Sequence, residues 1–153
     1  MLPAQTIWTQ AITAYLARLN TTGSPASIWR TRFESISDEQ APALNVYAAE
    51  VRITYDGAHD CASIEHESTV RGYVAATDQV DLAADPLIVW AWQQLGADPT
   101  LGGIVTDSRI EKIQFGYLDK SETDKVCVDI TITLNVEVDR GDPTVNRTSG
   151  LLL

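Results

Sequence analysis

The chain has 153 residues, a length that suits one domain with a single hydrophobic core. Hydrophobic residues make up 44% and charged residues 21%, and these values exclude both a largely disordered chain and a membrane protein. There are 21 acidic and 11 basic residues, so the net charge of -10 disfavours direct binding to DNA. The two cysteines form no CxxC pair and no signal peptide follows Met1, so we expect reduced thiols in a cytosol.

The first predicted element is an amphipathic helix from about residue 4 to residue 19. Pro3 suits a first helical turn, and the stretch 20–25 (NTTGSP) ends the helix because glycine accepts a left-handed cap and proline cannot continue a helix. The apolar residues recur at intervals of three and four positions along one helical face. They are Ile7, Trp8, Ala11, Ile12, Tyr15, Leu16 and Leu19.

Short strands are predicted over residues 27–33 and 42–47, on either side of a polar turn. Residues 51–55 either extend the same sheet or belong to a loop, and the composition of residues 56–62 is typical of a turn. A further strand, rich in Thr, Val and Tyr, is predicted over residues 65–76.

The second helix is predicted over residues 86–96, with Asp85 as its N-cap, Pro86 in its first turn and Gly96 at its end. Large apolar residues cover much of its circumference. We therefore expect this helix to be buried on more than one side.

An unusual corner follows the second helix. Asp98 and Pro99 can start a single extra turn, and Leu101 can reach the core from it. Gly102 and Gly103 then turn the chain toward the next strand, because glycine tolerates backbone conformations that other residues avoid.

The clearest strand covers residues 126–139, where valine, isoleucine and leucine alternate with polar residues. At about 3.3 Å per residue it would run roughly 40 Å, longer than so small a core needs, so it either bends or projects at one end. Its antiparallel partner is predicted over residues 110–117, joined through the polar turn 119–125. The predicted fold is α/β of the α+β kind: a mainly antiparallel or mixed sheet with a long C-terminal hairpin and two main helices.

Residues 1–140 are predicted to form one domain, and residues 141–153, which show no period, a flexible tail. The tail ends in Leu151, Leu152 and Leu153. Three apolar residues are too few to cross a bilayer, which needs about 20. They could instead fill a pocket of a partner protein.

One segment resembles a reactive site, because His59, Cys61 and His66 place imidazole and thiol groups close together in the sequence. Zinc sites are recognised by paired ligands at fixed short spacing, and here only His59 and Cys61 form such a pair. We favour a solvated loop and predict no resident metal ion. The sequence has no nucleophile elbow, phosphate-binding loop or dinucleotide-binding motif, so we predict no catalytic residue, no cofactor and no enzymatic activity.

Several motifs together resemble the tail terminator family of long-tailed bacteriophages, the minor tail protein U type, also called tail completion proteins. They are the stretch 95–105 (LGADPTLGGIV), the RI pair at 109–110, and the long alternating strand that runs into 139–143 (DRGDP). The predicted first helix and the PALNVY segment at 42–47 are also similar to the layout of that family. The resemblance covers roughly residues 5–144.

The resemblance implies a mainly antiparallel sheet with helices packed on it, assembled as a homohexameric ring on the end of a finished tail tube. Such a ring stops tube polymerisation and provides the surface for head–tail joining. The implied partners are other copies of this chain, the tail tube protein, the head–tail connector or head completion protein, and the tape measure protein. DNA passes through the lumen without sequence-specific binding, and no membrane is involved. The implied location is the neck-proximal end of the virion tail, after assembly in the host bacterial cytoplasm.

Within such a ring, we hypothesise that the predicted hairpin supplies contacts between subunits, while the turns at 120–125 and 56–62 face the tube or the connector. An acidic lumen would let DNA slide, because like charges repel. Residues 51–64 fit the family pattern least. The candidate interface residues are Lys120, Glu122, Asp124, Lys125, Asp129, Thr131, Thr133, Glu137, Leu151, Leu152 and Leu153.

Two alternatives of other classes remain open. A small metal-binding or thiol enzyme would use His59, Cys61 and His66, and it predicts stoichiometric zinc in the purified protein. A binding module of non-viral origin predicts a stable monomer that does not bind a tail tube.

Overall fold

The computed structural model describes residues 4–30, 42–55, 60–75, 79–117 and 125–148. Within these residues two helices and six strands form an α+β fold, as the sequence predicts. Neither described helix is long and apolar enough to cross a membrane. In chain order the elements are α1 (Ile7–Leu19), β1 (Ser27–Arg30), β2 (Ala43–Tyr55), β3 (Cys61–Ala75), α2 (Val80–Gly96), β4 (Asp107–Tyr117), β5 (Lys125–Asp139) and β6 (Asp142–Asn146).

The strands form one sheet in which β5 has neighbours on both sides. The order is β1-β2-β3-β5-β4, with β6 paired to the end of β5, and all neighbours are antiparallel except β1 and β2. Each of the 15 residues of β5 faces a residue of β3, from Lys125 opposite Ala75 to Asp139 opposite Cys61. The predicted hairpin of β4 and β5 is confirmed. β5 does not project from the sheet, because β3 matches its whole length.

The two faces of the sheet differ in what covers them. On one face, called here the helix face, even-numbered residues of β3 and β5 pack with α1 and α2 in the main hydrophobic core. The opposite face, called here the open face, carries the odd-numbered residues of β3 and β5 and their neighbours on β2 and β4. The buried residues of β5 on the helix face are Val128, Ile130, Ile132, Leu134, Val136 and Val138.

α1 begins at Ile7 and not at residue 4, because Thr6 takes the N-cap position. The Thr6 hydroxyl accepts a hydrogen bond from the backbone N–H of Thr9, one of the donors left free at a helix start. The predicted apolar face is confirmed. Its buried residues are Ile7, Ala11, Ile12, Tyr15 and Leu19.

α2 begins at Val80, well before the predicted start, so the assignment of Asp85 as the N-cap is wrong. Pro86 lies inside the helix, where its missing N–H removes one intrahelical hydrogen bond. Ala84 and Leu87, on either side of this proline, are both fully buried in the core. Their burial outweighs the lost hydrogen bond and keeps the preceding turns helical.

α2 ends at Gly96, as predicted, and is buried on two sides. One side packs on the sheet and the other on α1. The Tyr15 hydroxyl donates to the carbonyl of Ala91 at 2.9 Å, and the Trp90 indole N–H donates to the carbonyl of Leu19 at 3.0 Å. These two hydrogen bonds satisfy the polar tips of aromatic side chains where the helices meet.

The corner after α2 is held by Asp98. Its carboxylate accepts the backbone N–H of Gly102 at 2.8 Å and pairs with the Arg18 guanidinium of α1 at 2.7 Å. The predicted extra turn forms as a hydrogen-bonded turn and not as a helix, with the Leu101 N–H donating to the Asp98 carbonyl at 3.0 Å. Leu101 is buried, as predicted, although its φ of 51° is left-handed, and Gly102 and Gly103 follow with φ of 75° and 89°.

Two strands are longer than the sequence predicts. β2 is continuous to Tyr55, so residues 51–55 extend the sheet. β3 begins at Cys61 and not at residue 65, because Ala62 and Ile64 are buried on the helix face. Polar residues between them on the open face made this segment resemble a turn.

Both outer long strands contain a β-bulge. In β2 the register shifts between Ala48 and Glu50, and in β4 it shifts between Ile110 and Lys112. The two bulges lie at nearly the same height in the sheet, beside residues 131–133 of β5. A bulge bends its strand and increases the local twist.

Part of the segment 141–153, which the sequence predicts to be a flexible tail, forms the strand β6. β6 pairs with β5, and the Asn146 side chain donates to the carbonyl of Ile104 at 3.0 Å. The Arg147 guanidinium contacts the Asp139 carboxylate at 2.7 Å and lowers the pKa of Asp139. A strand of 5 residues is too short to show a period, which is why the sequence did not reveal it. The predicted apolar tip lies outside the described residues.

Gly72 allows α2 to approach the sheet closely. A Cβ atom at this position would lie 2.9 Å from Leu87 Cδ1 and 2.9 Å from Val128 Cγ1, closer than carbon atoms pack. The absent side chain therefore makes the space that Leu87 occupies in the core.

We predict that Gly72→Ala lowers the free energy of unfolding by about 1–3 kcal/mol, because the added methyl group overpacks the core. The matched control is Gly96→Ala, where a Cβ meets no atom within 4 Å. That control should leave stability unchanged or raise it by up to about 1 kcal/mol. Urea unfolding followed by circular dichroism measures both. A Gly72→Ala variant as stable as the Gly96→Ala variant would contradict this role.

Candidate functional site

The open face of the sheet carries most of the charged side chains of the long strands. Among the described residues of this face, carboxylates outnumber cations. The carboxylates are Glu50, Glu65, Glu67, Asp107, Glu111, Asp129, Glu137 and Asp139, and the cations are Arg52, Arg71, Arg109 and Lys112. Apart from a small buried cluster of Ala43, Tyr73 and Cys127 packed against Trp29, the face is therefore polar, with an excess of negative charge.

A shallow cavity of ≈ 340 Å³ lies across the middle of the open face, between β2 and β4. Thr131 and Thr133 of β5 line it between the two strands, and both are buried. Four glutamates surround these threonines together with Arg52 and Lys112. No group of three or more His, Cys, Asp or Glu residues in the described ranges is placed to hold a metal ion. Two of the cavity glutamates pair with cations of their own strands, Glu50 with Arg52 at 3.4 Å and Glu111 with Arg109.

Arg71 and Asp129 form the strongest ion pair on the open face. Two parallel hydrogen bonds join them, from Arg71 Nε to Asp129 Oδ1 at 2.7 Å and from Arg71 Nη2 to Asp129 Oδ2 at 2.9 Å. The hydrogen bonds to Asp129 raise the pKa of Arg71, which also lies over the ring of Tyr47 at 5.8 Å. The predicted interface residue Asp129 therefore binds within its own subunit.

The structure places three other candidate interface residues of β5, Thr131, Thr133 and Glu137, on the open face. Thr131 and Thr133 lie in the cavity, and Glu137 accepts hydrogen bonds from the Ser63 hydroxyl at 2.8 and 3.0 Å. Lys125 is the first residue of the strand. The remaining candidates, Lys120, Glu122, Asp124, Leu151, Leu152 and Leu153, lie outside the described residues and stay predictions.

The residues considered for a metal or thiol site are not brought together where the structure describes them. Cys61 and His66 lie on one strand but belong to opposite faces of the sheet, because their positions along the strand differ by an odd number. The His66 side chain is only 2% exposed, and its Nδ1 lies 3.1 Å from the Ser68 hydroxyl. His59 lies outside the described residues. This geometry does not favour the enzyme alternative.

Sequence reasoning missed a set of exposed apolar side chains. Ile53 and Tyr55 of β2 and Phe115 of β4 are about half exposed on the helix face, beyond the cover of the helices. A stripe along the outer side of α2 is also exposed and consists of Leu82, Val89 and Trp92. The alternation of Val51, Ile53 and Tyr55 was the available signal for β2, and for α2 the signal was apolar residues on every side.

Comparisons with known proteins give distant likenesses among solved structures only. No family model and no curated protein matches the chain. Among solved structures, the chain is similar to a chain from a structure described as "Virion of native gene transfer agent (GTA) particle". The identity is 10% and the TM-score 0.39, with 86% of this chain and 92% of that chain covered.

We predict that His66 makes the protein less stable in acid. Burial lowers the pKa of its imidazole from the usual value of 6.5, so the unfolded chain binds more protons than the folded chain below pH 6.5. The stability that the neutral His66 side chain contributes is fully present above pH 6.5, and it is lost as the pH falls through the pKa of His66 in the folded protein. The measurement is the urea midpoint as a function of pH. His66→Gln should flatten this dependence below pH 6.5, whereas His59→Gln should keep it; equal slopes in all three proteins would refute the prediction.

We predict that Asp129→Asn lowers the free energy of unfolding by about 1 kcal/mol, because it leaves the half-buried Arg71 without its charged partner. Asp107→Asn is the control on the same face, since Asp107 pairs with Arg109 at 3.7 Å in a more exposed position. The control should leave stability almost unchanged. Chemical unfolding of both variants at low and high salt measures the difference. Equal midpoints would show that Asp129 contributes nothing to the stability of the single subunit.

Proposed function

We propose that the chain is a structural virion protein of a phage-like particle, and that it caps the completed tail tube. In this proposal, copies of the chain form a homohexameric ring at the neck-proximal end of the tail. The ring stops tube polymerisation and offers its other side to the head–tail connector or head completion protein. The α+β architecture agrees with the fold that the sequence resemblance implies.

The observation that carries the proposal is the placement of two connecting segments at opposite ends of one sheet. The chain leaves the sheet at Tyr55 and returns at Cys61, at the end of β5 marked by Asp139. It leaves again at Tyr117 and returns at Lys125, at the other end of β5. A subunit that joins two different partners along one axis needs two such ends. We assign one end to the tube and the other to the connector.

We also propose that DNA passes through the lumen of the ring, and the charge of the open face supports this. Carboxylates outnumber cations on this face, and Arg71 is already paired with Asp129. A phosphate backbone gains affinity mainly from unpaired Lys and Arg, which release its counterions. A ring that turned this face toward DNA would repel it and let it slide.

The proposal is tested by mixing the purified protein with tail tubes and imaging the mixture by electron microscopy. We expect a ring at one end of each tube and no further growth when tube protein is added. Tubes that stay bare, or that grow equally with and without the chain, would overturn the proposal. A stable monomer that ignores the tube would favour a binding module of another kind.

Charge reversal at either end separates the two partners. We expect Asp60→Lys to weaken binding to one partner and Asp124→Lys to weaken binding to the other. Asp60 precedes Cys61 in the sequence and Asp124 precedes Lys125, and Cys61 and Lys125 lie at opposite ends of the sheet. Pull-down with tube protein and with connector protein measures both. Each variant serves as the control for the other. Two variants that lose the same partner would contradict the assignment of ends.

A further inference from the structure

We propose that copies of the chain join head to tail through their sheets, with the outer edge of β2 in one copy pairing with the outer edge of β4 in the next. The occupant of each edge is a second copy of this chain. The inference rests on the proposed ring and names the contact that builds it. The sequence led to the hypothesis that the β4–β5 hairpin supplies the contacts between subunits. The inference assigns the hairpin's share of these contacts to β4.

Two strand edges are free in the described part of the chain. β1 pairs with β2 only over residues 43–46, so the outer edge of β2 has no described partner from Tyr47 to Tyr55. The outer edge of β4 has no described partner over its whole length. β5 is paired with β3 on one side and with β4 and β6 on the other, so the hairpin can offer only β4. A free edge presents N–H and C=O groups that can pair with another chain.

The directions of the two strands suit this contact. β2 is antiparallel to β3, β3 to β5, and β5 to β4, so β2 and β4 run in opposite directions. Two copies in the same orientation, side by side, therefore bring β4 against β2 as an antiparallel pair. Helix faces and open faces then continue from copy to copy. Because the two edges differ, the contact is heterologous and forms a ring when the rotation between copies closes.

The exposed apolar residues of the sheet lie on these same two strands. Ile53 and Tyr55 of β2 are 50% and 55% exposed, and Phe115 of β4 is 52% exposed. All three belong to the helix face, since Ile53 pairs with Ile64 and Phe115 with Val128. Pairing of the edges would bury apolar surface from both copies on one side of the joint sheet.

The charges on the open side of the two edges do not decide the register of the contact. Glu50 and Arg52 of β2 pair with each other at 3.4 Å, and Arg109 of β4 pairs with Asp107 at 3.7 Å. Exposed pairs of this kind contribute little energy, so the apolar residues and the backbone groups of the edges carry the contact.

Neighbouring copies must be staggered along the strands. Ile53 stands at the height of Val136 and Phe115 at the height of Val128, so the two apolar groups lie toward opposite ends of the sheet. A stagger of this kind is a general requirement when strands close into a ring, because the strands tilt against the ring axis.

The stripe of Leu82, Val89 and Trp92 on α2 is another exposed apolar surface among the described residues. It has no free backbone edge beside it, since the backbone of a helix is satisfied internally. It therefore supplies matched controls of similar exposure, with Val89 at 49% and Leu82 at 59%.

The test uses two variants that each block one edge. Ile53→Lys places a charge on the β2 edge, and Phe115→Lys does so on the β4 edge. In a head-to-tail contact each variant keeps one intact edge, so two copies of the same variant cannot join and each variant alone should stay monomeric. An equimolar mixture should form a dimer, through the intact β4 edge of Ile53→Lys and the intact β2 edge of Phe115→Lys. Nothing larger should form. Val89→Lys and Leu82→Lys should assemble as the wild type does. Sedimentation velocity of the concentrated proteins gives the sizes, and circular dichroism confirms that every variant folds.

The outcomes separate this inference from the proposed function. If the mixture stays monomeric, if either edge variant assembles alone, or if the α2 variants lose assembly, the edge contact is wrong even when the wild type caps tubes. If the dimer forms only in the mixture but wild-type rings ignore tail tubes, the edge contact stands and the proposed function fails. A wild type that stays monomeric both alone and on tubes overturns both.

Discussion

Val128, Ile130, Ile132 and Leu134 follow one another on the same face of β5, and all are buried beneath the two helices. The backbone between them is paired with β3 on one side and β4 on the other. A shift of one residue in either ladder would move every one of these side chains to the open face and bring polar ones into the core. The alternation of apolar and polar residues in β5 therefore determines the register of β3 and β4 and the surface on which both helices pack.

Because both helices pack on one face, the polar residues of the long strands are left on the other. In an isolated domain such a face is simply solvated. Here it is combined with edges of β2 and β4 that have no described partner and with Ile53, Tyr55 and Phe115 exposed beside those edges. The packing of both helices on one face thus buries the core of one subunit and also leaves surfaces that can contact other subunits.

Patterns that extend over many residues were predictable from the sequence, and local exceptions were not. The alternation of β5 and the apolar face of α1 identified both elements, since each pattern repeats several times. Pro86 was misleading because its usual place is a first turn, and only the burial of Leu87 explains a helix that continues through it. The placement of Cys61 and His66 on opposite faces could be predicted only by knowing that one strand contains both residues. Which apolar residues stay exposed depends on where the helices end over the sheet, which no local pattern contains.

The bulges in β2 and β4 have a consequence for the chain before it meets its partners. Each bulge interrupts the regular spacing of N–H and C=O groups along its strand, between Ala48 and Glu50 in one and between Ile110 and Lys112 in the other. An interrupted edge is a poor template for indiscriminate strand addition and for fibre growth. The bulges therefore disfavour fibre growth through these two edges and favour pairing with an edge whose shape matches them.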